Sequence, residues 1–101
     1  MIKYKRQKYL RVNEDFFNEK IVKYLKRLDR GETLVIIYLK LQLKSLDNNG
    51  EIYFCNNLYT EMANVIEEDE KDVKRCIDEL FKTKFIELRD NNTLVFKRLQ
   101  E

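Results

Sequence analysis

The sequence predicts an α+β, mostly helical domain, a winged helix-turn-helix closed by a C-terminal β-hairpin wing. Three observations carry this. Apolar residues recur at three- and four-residue steps through long stretches; two of the resulting helices are separated by about three residues; and the chain then switches to strict apolar/polar alternation around an Asp-Asn-Asn turn. With 101 residues, 44% of them hydrophobic, the chain supports one core, so a single domain over 1–101 is expected. Proline is absent and 38% of residues are charged, which favours regular elements with a solvated surface.

Taken in order, a basic arm (1–8) precedes Tyr9-Leu10-Arg11-Val12, a candidate short strand, and Asn13, a candidate cap. Phe16, Phe17, Ile21, Tyr24, Leu25 and Leu28 then define a first amphipathic helix, which Arg30-Gly31 is expected to end. From Glu32 to Leu46 the apolar positions cover nearly the whole circumference, the mark of a central buried helix. Asp47-Asn48-Asn49-Gly50 reads as a turn and Glu51–Cys55 as a short strand. Thr60 is the expected N-cap of a short helix through Ile66 with Met62, Ala63 and Ile66 inward. Glu67–Asp69 forms a polar turn, and Asp69 caps a long helix whose stripe is Val73, Cys76, Ile77, Leu80 and Phe81. Residues 60–83 are therefore a helix-turn-helix, and 85–98 the wing.

Charge is unevenly distributed. Residues 1–30 hold ten Lys and Arg against four Asp and Glu, residues 31–70 hold two against eight, and residues 71–101 hold eight against six. A basic first third and an acidic middle imply two different faces, one suited to phosphates and one to protein. The N-terminus has no apolar run behind its positive charges, and no stretch is long enough to span a bilayer, so a cytoplasmic protein with no membrane contact is expected. Cys55 and Cys76 are expected to be small buried apolar groups, without a disulfide. No histidine is present and the Asp/Asn turn lacks a closing glutamate, so neither zinc nor calcium fits, and no cofactor is implied. With no histidine, only two glycines and no nucleophile beside a base, the chain is not expected to be an enzyme.

On a wheel of about 100° per residue, placing Val73, Ile77 and Leu80 inward sets Lys71, Arg75, Asp78 and Lys82 outward, with Lys74 on the shoulder. A major groove about 12 Å wide admits such a helix, and arginine pairs bidentately with guanine, which makes Arg75 the first candidate for base contact. The arm residues Lys3, Lys5, Arg6 and Lys8, interleaved with Tyr4 and Tyr9, form a second candidate, and Arg89 in the wing a third. Interleaved Asp72, Asp78 and Glu79 also fit an ordinary solvated helix face, and Glu67–Glu70 oppose close phosphate contact at the helix start. The aromatics Phe16, Phe17, Tyr24, Tyr38, Phe81 and Phe85 are expected in the core.

Lys8–Leu10, Asn13–Phe17, Ile36-Ile37-Tyr38-Leu39-Lys40-Leu41, Leu43–Gly50 and Tyr59-Thr60-Glu61-Met62 together resemble the N-terminal domain of phage replisome organizer proteins. The resemblance covers nearly the whole chain, but the recognition helix carries no motif to transfer. It implies a winged-helix initiator, related in outline to plasmid replication initiators, that binds double-stranded origin DNA and recruits helicase-loading machinery. It also implies a further C-terminal region in the family. Two alternatives remain open at this point: a winged-helix transcription regulator, or a protein-assembly module of a primosome-like complex, to which the acidic middle third is suited. A homodimer is expected for DNA reading, because one small module rarely supplies enough affinity.

Overall fold

The computed structural model describes residues 19–96. The basic arm, the expected strand Tyr9–Val12, the Asn13 cap, Phe16, Phe17 and the last two residues of the expected wing lie outside the described residues. In chain order the elements are α1 (Lys20–Lys26), α2 (Gly31–Ser45), a 3₁₀ turn (Leu46–Asn48), β1 (Glu51–Tyr53), α3 (Leu58–Ile66), α4 (Glu70–Lys82), β2 (Ile86–Arg89) and β3 (Thr93–Phe96). The strands form one antiparallel sheet in the order β1-β3-β2. The run α2-β1-α3-α4-β2-β3 is the winged-helix order, and α1 precedes it.

The central helix α2 buries Leu34, Val35, Ile37, Tyr38 and Leu41 against its neighbours. It does not bury its whole circumference as expected, since Ile36 and Leu43 remain half exposed. Its contacts run to α1, α3, α4 and β1, and none of these described elements lies over the fourth side.

Arg30-Gly31 also behaves differently from expectation. The first helix stops earlier, at Lys26, and Arg30, in the left-handed region at φ 58°, is the N-cap of α2, with Gly31 its first residue. The reason is proximity: a Cβ on Gly31 would stand 2.6 Å from the Leu25 carbonyl oxygen and closer still to that of Lys26, both backbone atoms of α1. Only glycine lets the start of α2 sit on the end of α1.

A second correction concerns α3. Its N-cap is Asn57, whose Oδ1 accepts the Thr60 N–H at 3.0 Å, so Thr60 is the residue capped and not the cap. Met62, Ala63 and Ile66 face inward as expected. Asp69 caps α4 by accepting the Lys71 N–H at 2.8 Å, and Val73, Cys76, Ile77 and Leu80 are buried.

In the sheet, Ile52, Leu94 and Leu88 are in register, as are Ile86 and Phe96, on the face turned to the helices. Leu94 pairs on both sides because β3 is central. The hairpin turns through Asp90 and Asn91, both at positive φ, with the Asn92 N–H donating to the Arg89 carbonyl at 3.3 Å. Asp and Asn tolerate that conformation better than other residues with a Cβ. The first strand is shorter than expected, ending at Tyr53, which leaves Cys55 in a loop and exposed, not buried. Cys76 is buried, its Sγ 3.4 Å from the Leu34 carbonyl, and burial pushes its thiol up to about 12. No described helix is long and apolar enough to cross a membrane.

Candidate nucleic-acid interface

The helix-turn-helix is α3, a turn and α4, held rigid at each joint. At the entry to α3 the Glu61 carboxylate reaches back to accept the N–H groups of Cys55, Asn56 and Asn57 at 2.8, 2.6 and 3.1 Å. The Asn56 and Cys55 N–H groups hold it below the usual carboxylate range. In the turn, Glu67 takes the left-handed conformation and the Glu68 N–H closes on the Ala63 carbonyl at 3.0 Å. Lys40 on α2 pairs with Glu68 and also donates to the Ile66 carbonyl, tying the turn to the core.

Four clasps then fix the rotation of α4. The Arg30 guanidinium forks onto Asp72, Nε and Nη2 at 3.0 and 2.8 Å, and keeps that buried carboxyl below its ordinary pKa. Arg75 donates from Nη1 to the Asp29 carbonyl at 2.9 Å. Tyr24 on α1 donates its hydroxyl to Glu79. On the opposite flank, the Tyr59 hydroxyl donates to Asp78 at 2.6 Å while Lys74 pairs with the same carboxylate at 2.7 Å and lies 4.9 Å from the Tyr59 ring centroid. Burial pulls Asp78 upward, but hydrogen bonds from Lys74 and Tyr59 outweigh it and hold it low; that Asp78 contact in turn pushes Tyr59 up to about 12.

These clasps change the standing of the sequence candidates. Lys71 and Lys82 are exposed and make no ion pair with any described residue, and both lie on the outer face of α4. Lys74 is exposed but paired, and Arg75 is half-buried against the loop after α1. Arg89 pairs with Glu51 across β3 at 2.5 Å, on the face of the sheet turned away from Ile52 and Leu94, so this wing arginine is already partnered. Lys3, Lys5, Arg6 and Lys8 lie outside the described residues. Tyr24, expected in the core, is only half-buried and spends its hydroxyl on α4.

One group of cations was not singled out from the sequence. Tyr24 opposite Glu79, and Asp29 and Arg30 opposite Arg75 and Asp72, make α1 run antiparallel along α4. With Ile21, Val22 and Leu25 buried, the exposed Lys20, Lys23 and Arg27 project beside α4, Lys20 toward the end that carries Lys82. The signal was present: the wheel that puts Ile21 and Leu25 inward puts these three outward. Across 67–82 the helix-turn-helix itself has four Lys and Arg against seven Asp and Glu, so the positive side of this surface is α1 with the two free lysines of α4, and the negative side is the turn.

This arrangement defines a winged helix-turn-helix domain. A family model described as the N-terminal phage replisome organiser matches residues 9–101, and the chain belongs to that family. No curated protein and no solved structure matches it. Membership ties the domain to phage DNA replication.

Proposed function

We propose that the domain binds duplex DNA at the replication origin of a phage- or plasmid-type element and acts as a binding module, without catalysis. The observation that carries the reading is the cationic ridge of Lys20, Lys23 and Arg27 lying alongside Lys71 and Lys82 on the outer face of α4. In this docking α4 lies in the major groove while α1 sits over the adjacent phosphates. The acidic turn Glu67–Glu70 then points away from the backbone, because a carboxylate against phosphate is unfavourable. Bound at the origin, the domain brings helicase-loading proteins to it in the cytoplasm, the acidic surface being free for a protein partner.

A salt titration of duplex binding tests this. Each phosphate contact contributes about −0.9 to the slope of log K against log salt. The triple variant Lys20→Gln, Lys23→Gln, Arg27→Gln is expected to weaken binding and flatten the slope by about 2 to 3. Lys71→Ala and Lys82→Ala are expected to weaken it less. Duplex affinity that is absent at low salt, or unchanged by the triple variant, refutes the docking. Preference for the origin over promoter sequence separates an initiator from a transcription regulator.

A further inference from the structure

A second surface opens on the flank of α4 turned away from α1. Tyr24 and Arg30 meet α4 at Glu79 and Asp72, whereas Tyr59 meets it at Asp78, so the two flanks are distinct. On the Tyr59 side a hollow of about 340 Å³ lies between α4, the wing and the loop that enters α3. Phe54, Tyr59, Phe81 and Leu88 line it with half-buried or exposed apolar surface, and Asn56, Asn57 and Asn91 add three amides. Among the described residues no charged side chain lines it. Leu88 points the same way as the buried Ile86 and Leu94, yet it is 44% exposed, since it borders the hollow and not the core.

The lining selects its occupant. The rings and the leucine offer flat apolar surface, and each asparagine amide both donates and accepts. Asn57 spends its Oδ1 on the Thr60 N–H, while the Asn56 and Asn91 amides bond to no described residue. Charges at the border are committed elsewhere, Asp78 to Tyr59 and Lys74, and Glu61 to the N–H groups of Cys55, Asn56 and Asn57. A flat, uncharged ring with donors and acceptors on its edge fits both parts of this lining, and a nucleobase is such a ring. An aliphatic protein side chain would use the apolar floor and leave the amides idle. The hollow is also shaped in advance, because the Tyr59 ring is held by Asp78 and by Lys74 at 4.9 Å from its centroid, so filling it costs little ordering.

We infer that the hollow captures one unpaired base of single-stranded DNA. The inference rests on the DNA-binding reading and extends it from a paired to an opened strand. With α4 in the major groove and α1 over the phosphates on one side, the hollow lies on the other side of the same helix, beside the strand that α1 does not cover. Exposed Lys82, next to Phe81, is shared by the two surfaces. Stacked bases present only their edges in a groove, so the hollow fills only when a base leaves the stack. Its capture therefore shifts the balance toward the opened strand.

Fluorescence anisotropy of labelled oligonucleotides binding to the full 101-residue chain, at one salt concentration, provides the test. The probes are a single strand of about 12 nucleotides, the same strand made abasic, and the corresponding duplex. The single strand is expected to bind at least about tenfold more tightly than its abasic form, a difference that phosphate contacts do not produce. Phe81→Leu keeps apolar volume but removes the ring, and Leu88→Ser changes a half-exposed position. Each should erase most of that difference and leave duplex affinity unchanged, with circular dichroism checking the fold of both. Equal binding of the two single strands overturns the inference. So does a difference indifferent to both variants, which would leave the hollow to a protein side chain. In either case duplex binding that depends on the α1 cations leaves the DNA-binding reading intact. Failure of all three probes to bind at low salt refutes that reading and the inference with it.

Discussion

Replacing Gly31 by Ala sets two effects of opposite sign against each other, and the geometry decides between them. In a helix, Gly→Ala ordinarily stabilises by up to about 1 kcal/mol, because glycine loses more backbone entropy on folding. Here the new methyl group would lie 2.6 Å from both the Leu25 carbonyl oxygen and the Lys26 carbonyl carbon. An ordinary contact needs about 3.5 Å, so the start of α2 and the end of α1 must separate by about 1 Å. Neither atom is on a side chain that can rotate away. Overpacking of this kind costs about 1–3 kcal/mol, which exceeds the propensity gain and leaves a net destabilisation of about 1–2 kcal/mol. For a domain of this size the midpoint of thermal unfolding should fall by roughly 5–15 °C. Urea unfolding followed by circular dichroism supplies the equilibrium number, with an unchanged m-value expected because the fold is retained. The displaced joint also carries Asp29 and Arg30, which hold Arg75 and Asp72 on α4, so DNA affinity should drop along with stability. A Gly31→Ala variant equal to or more stable than the parent would refute the close approach and return Gly31 to the role of a simple helix terminator.

Two further outcomes follow from the clasped helix and the cysteines. The Tyr59 phenol, pushed up to about 12 by its bond to Asp78, keeps its proton in the folded state between pH 10 and 12 where the unfolded chain has lost it; stability is therefore full below the unfolded value and declines as pH rises toward 12. Following phenolate absorbance with pH, Tyr59→Phe should remove one of the late-titrating phenols, and an early-titrating one lost instead would contradict the clasp. Cys55 is exposed and Cys76 buried with its thiol pushed up to about 12, so an aromatic disulfide reagent should consume one thiol quickly in the native chain and the second only in denaturant. Two fast thiols would place Cys76 outside the core.

The elements of this fold were legible where periodicity is long and unambiguous. The stripe Val73, Cys76, Ile77, Leu80 and the cap Asp69 located α4, and the alternation around Asp90–Asn92 located the hairpin. What stayed hidden depends on partners distant in sequence. Nothing local distinguishes Gly31 as a helix start from Gly31 as a helix stop, because the deciding atoms belong to Leu25 and Lys26 across a turn. Asn57 and Thr60 are both good caps by type, and only the place where β1 ends selects Asn57. The candidate cations of α4 were legible as an outward-facing set on one helix, but whether each is free or engaged was not. Arg75 and Arg89 have the right chemistry for DNA and are already held by Asp29 and Glu51, residues 46 and 38 positions away respectively.

That engagement has a consequence for how the domain would read DNA. If α4 enters the groove, the free cations on its outer face are Lys71 and Lys82, which are eleven residues and roughly 16 Å apart, while Asp78 lies between them, committed to Tyr59 and Lys74. Lysines are point charges suited to phosphate, and an ionised carboxylate at the middle of the helix accepts hydrogen bonds only from donors such as the cytosine amine. Affinity from one copy is then mostly electrostatic and steeply salt-dependent, with base discrimination confined to a short central step. Selecting one origin among many competing sites requires that weak preference to be used more than once. Asp78→Asn, which also loosens the clasp from Tyr59 and Lys74, should alter the preference for the origin over random duplex with little change in salt slope.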